Sequence, residues 1–242
     1  MSVHYVDAFM RVALEEAELA LIEGEVPVGC VLVRIDANEK AYSAWTQHVA
    51  DTTTTAAASS SSSLDISECV RSLVAARGRN QTNLQRHALA HAEFIAVAQL
   101  HSSSTAPPLS DLTDYILYVT VEPCVMCGAM LLYNRVAHVF FGCRNPRFGG
   151  NGTVLALHSQ PPSQQPQLKS SSSSLSCDVS VMCSCSPHCN REEEEEAKQQ
   201  PRCWPGYESE GGHAETDAVL LLQRFYEREN PNAPGHKRRR KA

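Results

Sequence analysis

The chain has no run of 18 apolar residues, so it offers no helix that would cross a bilayer. It lacks a signal-peptide pattern: acidic residues beginning at Asp7 stand where a basic stretch and an apolar core would be needed. It also lacks an excess of positive charge. The formal net charge is −6, which argues against a surface that grips polyanions everywhere. Cysteine is the exception to this scarcity, with ten residues. Without a secretory signal, they read as thiols of a reducing compartment and not as a disulfide framework. The expected location is the nucleus and cytoplasm.

Charge and complexity are unevenly distributed. Glu192 to Glu196 form an acidic run, and Lys237, Arg238, Arg239, Arg240 and Lys241 form a basic tail. Such a tail can hold phosphates without reading sequence, or serve as a nuclear address. Two segments are low in complexity. One, over 37–71, contains four consecutive Thr and five consecutive Ser; the other, over 158–199, is rich in Ser, Pro, Gln and Glu. Both are expected to be disordered insertions. What remains is expected to form a single domain over 1–232, followed by the tail over 233–242.

Periodicity predicts the elements. Val3 to Glu23 reads as an amphipathic helix, with Val6, Met10, Ala13, Leu14, Ala17 and Leu21 on one face and Gly24 as its stop. Val26 to Ile35 reads as a buried strand, and a second strand lies near Leu73 to Ala76. A helix over Ala92 to Leu100, a strand over Tyr115 to Val121, a helix from Cys124 and a strand over His138 to Phe141 follow. A last strand near Arg202 to Trp204 and a helix over Glu215 to Arg228 complete the series. This alternation argues for an α/β layered domain.

The sharpest signal lies between His91 and Cys127. His91-Ala92-Glu93 is followed, about 30 residues on, by Pro123-Cys124-Val125-Met126-Cys127. Cys124 and Cys127 are three apart and share one face of a helix, so they can chelate one ion. Pro123 suits a first helical turn. That turn and the metal lower the thiol pKa. His91, Cys124 and Cys127 make three ligands for Zn2+ and leave a fourth position for water. Glu93, two residues from His91, does not share its face and is better placed to move protons than to bind metal. The arrangement H-x-E…P-C-x-x-C is the signature of zinc-dependent nucleobase deaminases. The competing reading is a closed structural zinc site with Cys143 as fourth ligand; it leaves Glu93 and Pro123 without a purpose.

Beyond these motifs, the chain resembles the catalytic subunits of the eukaryotic tRNA-specific adenosine deaminase family. The resemblance rests on Glu25-Val26-Pro27-Val28-Gly29, on Gly78-Arg79-Asn80 and on Leu117 to Cys124. It continues through Phe141-Gly142-Cys143-Arg144-Asn145-Pro146-Arg147-Phe148-Gly149-Gly150, Pro205-Gly206-Tyr207 and Phe225 to Pro234. It covers roughly two thirds of the chain. It implies a cytidine-deaminase-like three-layer fold, in which a mixed five-stranded sheet is flanked by helices. It implies hydrolytic conversion of adenosine to inosine at the wobble position of tRNA, in a heterodimer with a homologous subunit lacking the catalytic Glu. It also implies that Asn80 contacts the target nucleotide and that Val28 stands at the pocket wall; a plain core-strand role serves Val28 equally well. The basic tail would then contact tRNA. A deaminase of free nucleosides or nucleotides, or of cytosine in nucleic acid, would use the same zinc chemistry.

Two other strings resemble sites. His213-Ala214-Glu215 repeats H-A-E, but no P-C-x-x-C follows it. Glu215 reads more simply as a first-turn carboxylate. Cys183, Cys185, His188 and Cys189 have ligand types, but they lie in the Ser-rich insertion.

Overall fold

The computed structural model describes residues 3–54, 69–102, 111–159 and 206–227. Chain contacts separate a unit of 1–160 with 206–242 from a unit of 161–205; the latter, like the basic tail, lies outside the described residues.

Tyr115–Val121 (β3) is apolar at nearly every position and forms the centre of a five-stranded sheet. Its neighbours are Gly29–Arg34 (β1), antiparallel, and His138–Cys143 (β4), parallel. Val74–Arg79 (β2) pairs antiparallel with β1, and Glu208–Gly211 (β5) pairs parallel with β4. The order is therefore β2-β1-β3-β4-β5, a mixed sheet. β1, β3 and β4 are buried on both faces, which accounts for their continuous hydrophobic runs where a half-exposed strand would alternate.

Helices supply the two outer layers. On one face, Phe9, Met10 and Ala13 of Asp7–Ile22 (α1) and Ala37 and Ala41 of Ile35–Thr54 (α2) pack on Val31, Ile116, Tyr118 and Phe140. On the other, Ala92 and Ala96 of Ala92–Ser102 (α4) and Leu131 of Val125–Tyr133 (α5) pack on Leu32, Leu117, Val119 and Phe141. A four-residue helix, Thr82–Gln85 (α3), follows β2, and Glu215–Glu227 (α6) closes the described chain. This is the three-layer architecture expected from the sequence.

Several boundaries differ from expectation. α1 begins at Asp7, because the extended Val6 caps it and its N–H donates to Tyr118 Oη at 3.2 Å. It ends where Gly24 adopts φ +80°, with Gly24 N–H on Leu21 O and Glu25 N–H on Ala20 O. This Schellman turn folds Glu25 back into the interior. α2 occupies the first part of the segment read as an insertion. Asp36 accepts from Ala37 N–H, and Asn38 joins His4 O to Tyr118 Oη. These anchors, with two buried alanines, make a helix where low complexity suggested a loop. The expected strand near 202–204 falls outside the described residues; the fifth strand is instead the polar β5.

Candidate metal centre and active site

Two helix starts meet at one end of the central strands. His91 immediately precedes α4, and its carbonyl accepts from Ile95 N–H at 3.0 Å. Cys124 is the cap residue of α5, with extended backbone, and its carbonyl accepts from Gly128 N–H at 2.7 Å. Cys127 lies one turn in and is buried. Pro123 therefore stands just before the cap and not at the first helical position, as the sequence suggested. Its carbonyl is used by Gly150 N–H at 2.8 Å.

His91 Nδ1 lies 3.6 Å from Cys124 Sγ and 3.5 Å from Cys127 Sγ. All three donor atoms fall within 4.8 Å of one another. A tetrahedral zinc ion with ordinary Zn–S and Zn–N lengths holds nitrogen and sulfur about 3.6 Å apart, so the donors fit this ion as they stand. Hydrogen bonds from Cys127 and His91 bring the Cys124 thiol down to about 4 against the opposing effect of burial. Its partner Cys127 is pushed up, first by its hydrogen bond to Cys124 and then by burial. Bound to zinc, both sulfurs would be held as thiolates. Cys143 lies within β4 and does not join the cluster, so three donors gather among the described residues and the closed site of His91 with three cysteines is not formed.

Glu93 sits in the first turn of α4 and is 3% exposed. Burial pushes its carboxyl up, opposed in part by hydrogen bonding and by His91. It lines, with His91 and Cys124, a cavity of about 560 Å³. The structure brings Asn80 and Val28 to the same cavity wall. Val28 stands just before β1 and is not part of a strand; it is partly buried against the core while lining the cavity. The basic tail lies outside the described residues, as does the Cys183–Cys189 cluster.

Sequence reasoning missed much of the cavity mouth. Arg144, Arg147 and Phe148 come from the loop after β4, and Leu222 and Tyr226 from α6. The loop belongs to the Phe141 to Gly150 string that carries the resemblance, whereas the helix has no local sequence signal of a place at the cavity. Glu122 shapes this wall. Its buried carboxylate accepts from the N–H groups of Asn145, Asn151 and Thr153 at 2.9–3.0 Å and from the Thr153 hydroxyl. Gly149 is obligatory beside it, since a Cβ there would stand 2.6 Å from either carboxylate oxygen. The second H-A-E string is structural: His213 stacks on Tyr5 at 3.9 Å, and Glu215 opens α6.

Residues 4–143 match the cytidine and deoxycytidylate deaminase zinc-binding region. With the zinc ligands, the cavity and the sheet in agreement, the chain belongs to that deaminase family. It is 28% identical to the tRNA-specific adenosine deaminase 2 of Xenopus laevis, over 96% of this chain and 93% of that protein. It is 27% identical to the tRNA-specific adenosine deaminase subunit tad2 of Schizosaccharomyces pombe, over 94% of this chain and 39% of that one. A solved structure from work on A-to-I editing by tRNA:A34 deaminases at the wobble position of transfer RNA shares the fold. Its TM-score is 0.52 at 21% identity, over 88% of this chain and 97% of that one.

Proposed function

We propose that this chain deaminates adenosine to inosine at the wobble position of tRNA anticodons, consuming water and releasing ammonia. The observation that carries the reading is the placement of Glu93, buried in the cavity that also exposes His91 and Cys124 of the zinc site. The names of the relatives supply the substrate. His91, Cys124 and Cys127 would hold zinc, which when bound would supply Lewis acidity that makes water nucleophilic near neutral pH. Glu93 takes a proton from the attacking water and passes it to the ring nitrogen, then passes the second proton, from the new C6 hydroxyl, to the amine, which departs as ammonia. Its burial favours this exchange, because a carboxyl pushed up from its ordinary value gives and takes a proton nearer neutrality. A cavity of about 560 Å³ would admit one base, which must leave its stack to enter. Arg144 and Arg147 at the mouth suit the phosphates of a polynucleotide, despite the chain's net negative charge.

The working unit in this reading is a heterodimer with a homologous, non-catalytic deaminase subunit. The word subunit in the fission-yeast relative's name supports it. Lys237 to Lys241 would add a grip on the tRNA backbone. The test is an inosine readout at the anticodon wobble position, with the complex captured by tagging this chain in its own cells. Conversion by the wild-type complex and none by a Glu93→Ala complex is expected. A folded, zinc-loaded complex that leaves the tRNA unchanged would redirect the assignment to free nucleosides or nucleotides, or to cytosine in nucleic acid.

A further inference from the structure

Glu25 is 1% exposed, yet no step of the chemistry needs it. Its carboxylate accepts four hydrogen bonds from one short segment. Asn80 Nδ2, Asn83 Nδ2 and Thr82 Oγ1 reach Oε2 at 3.1, 3.1 and 3.3 Å, and Leu84 N–H reaches Oε1 at 2.7 Å. The second proton of Asn80 Nδ2 goes to Thr82 Oγ1 at 3.1 Å. An ionised carboxylate only accepts, so the nitrogen of the Asn80 amide must face Glu25. Both of its protons are then committed. What Asn80 has left is Oδ1, an acceptor that takes no hydrogen bond among the described residues, on a side chain that lines the cavity.

We infer that Glu25 is a positioning residue: it locks the Asn80 amide with its carbonyl oxygen toward the substrate, so the site requires a hydrogen-bond donor there. The identity of that donor rests on the adenosine reading. Adenosine has donors only at the exocyclic amine and the ribose hydroxyls; its ring nitrogens are acceptors. The amine must lie at the metal and Glu93, where it is expelled. Within a polynucleotide the 3′ oxygen is esterified, which leaves the 2′-hydroxyl. Through Asn80, Glu25 thereby makes the site prefer a ribonucleotide at the reacting position.

The test compares tRNA substrates carrying ribo- or 2′-deoxyadenosine at the wobble position, using the zinc-loaded complex. The wild type should prefer the ribose form by about tenfold in kcat/KM, the scale of one buried hydrogen bond. Glu25→Gln should bring the ratio toward one, with zinc content unchanged. Asn80→Ala should do the same, and Glu25→Gln with Asn80→Ala should lose no more than either alone. Glu25→Gln with Asn80→Asp exchanges amide and carboxylate, again locks an acceptor toward the cavity, and should recover the preference. A wild-type ratio near one, an unaltered ratio in Glu25→Gln, or multiplying losses in the double variant would each overturn the inference. A second readout does not depend on turnover. The side-chain amide protons of Asn80 should exchange slowly with solvent in the wild type and rapidly in Glu25→Gln. Equal exchange in both would overturn the lock; slow exchange lost in the variant upholds it, even if no tRNA is deaminated and the functional reading fails.

Discussion

The N–H of Val125 donates to the carbonyl oxygen of Phe148 across 2.8 Å. This single bond joins the metal-binding turn to the loop that carries Arg147 and Phe148 at the cavity mouth. Gly150 N–H on Pro123 O and the short pairing of Cys124 with Gly149 reinforce it. Metal and substrate walls are therefore one piece of backbone, and Glu122 is the group that holds its far side.

Glu122→Ala should strand the buried N–H groups of Asn145, Asn151 and Thr153. At about 1 kcal/mol or more for each unpaired donor, the loss is about 3 kcal/mol or more. Urea unfolding of the zinc-loaded protein measures this, and KM for tRNA should rise because Arg147 and Phe148 lose their support. An unchanged unfolding midpoint would show that the loop finds other partners.

Glu93→Gln should keep one zinc per chain and lose activity. Proton transfer by a placed side chain contributes about 10²–10⁴ in rate, so kcat should drop on that scale. Metal content and inosine formation are measured on the same sample. Loss of zinc in the variant would instead make Glu93 a ligand, which the geometry of the three donors argues against.

The metal ligands were legible because coordination dictates residue type and short spacing, and a helix turn brings Cys124 and Cys127 together without help from the rest of the fold. β3 was legible because it is apolar from Tyr115 to Val121. β5 was not, since Glu208, Ser209, Glu210 and Gly211 carry no hydrophobic pattern and become a strand only by pairing with β4. α2 was hidden by the Thr run into which it extends and the Ser run that follows, although Ala37, Asn38 and Ala41 meet the core. Tyr226 and Leu222 reach the cavity from about a hundred residues away, and only the topology brings them there. Glu25 was visible as part of a motif; its hold on Asn80 depends on a turn and a helix start that come together in three dimensions.

Gly78 lets α4 approach the sheet. A Cβ there would stand 2.1 Å from Ala92 O and 2.7 Å from Ala96 N, both backbone atoms of the helix that follows His91. Gly78→Ala must displace that helix, at a cost of about 1–3 kcal/mol for overpacking. Because His91 and Glu93 move with it, zinc affinity should fall as well. Competition with a chelator tests this, and an affinity equal to the wild type's would mean that the helix shifts without disturbing the ligand.

Acid should destabilise the fold through histidines that are not metal ligands. Burial holds His138 below its ordinary value; Glu208, 3.4 Å away but exposed at the edge, and Glu210 oppose this only in part, and His213 adds to it. His158 and His213 are lowered by burial too. The folded chain therefore keeps these rings neutral when the unfolded chain, with histidine near 6.5, begins to take up protons. More protons on the unfolded state mean that stability rises with pH, so it should be full above about pH 6.5 and decline below it. Each histidine contributes a slope of at most about 1.4 kcal/mol per pH unit. His138→Met removes one such proton and keeps an apolar contact with Phe140, whose ring lies 4.2 Å from the imidazole. Urea midpoints measured between pH 7.5 and 5 should fall less steeply in this variant than in the wild type. Parallel slopes would show that His138 is protonated in the folded chain as readily as in the unfolded one.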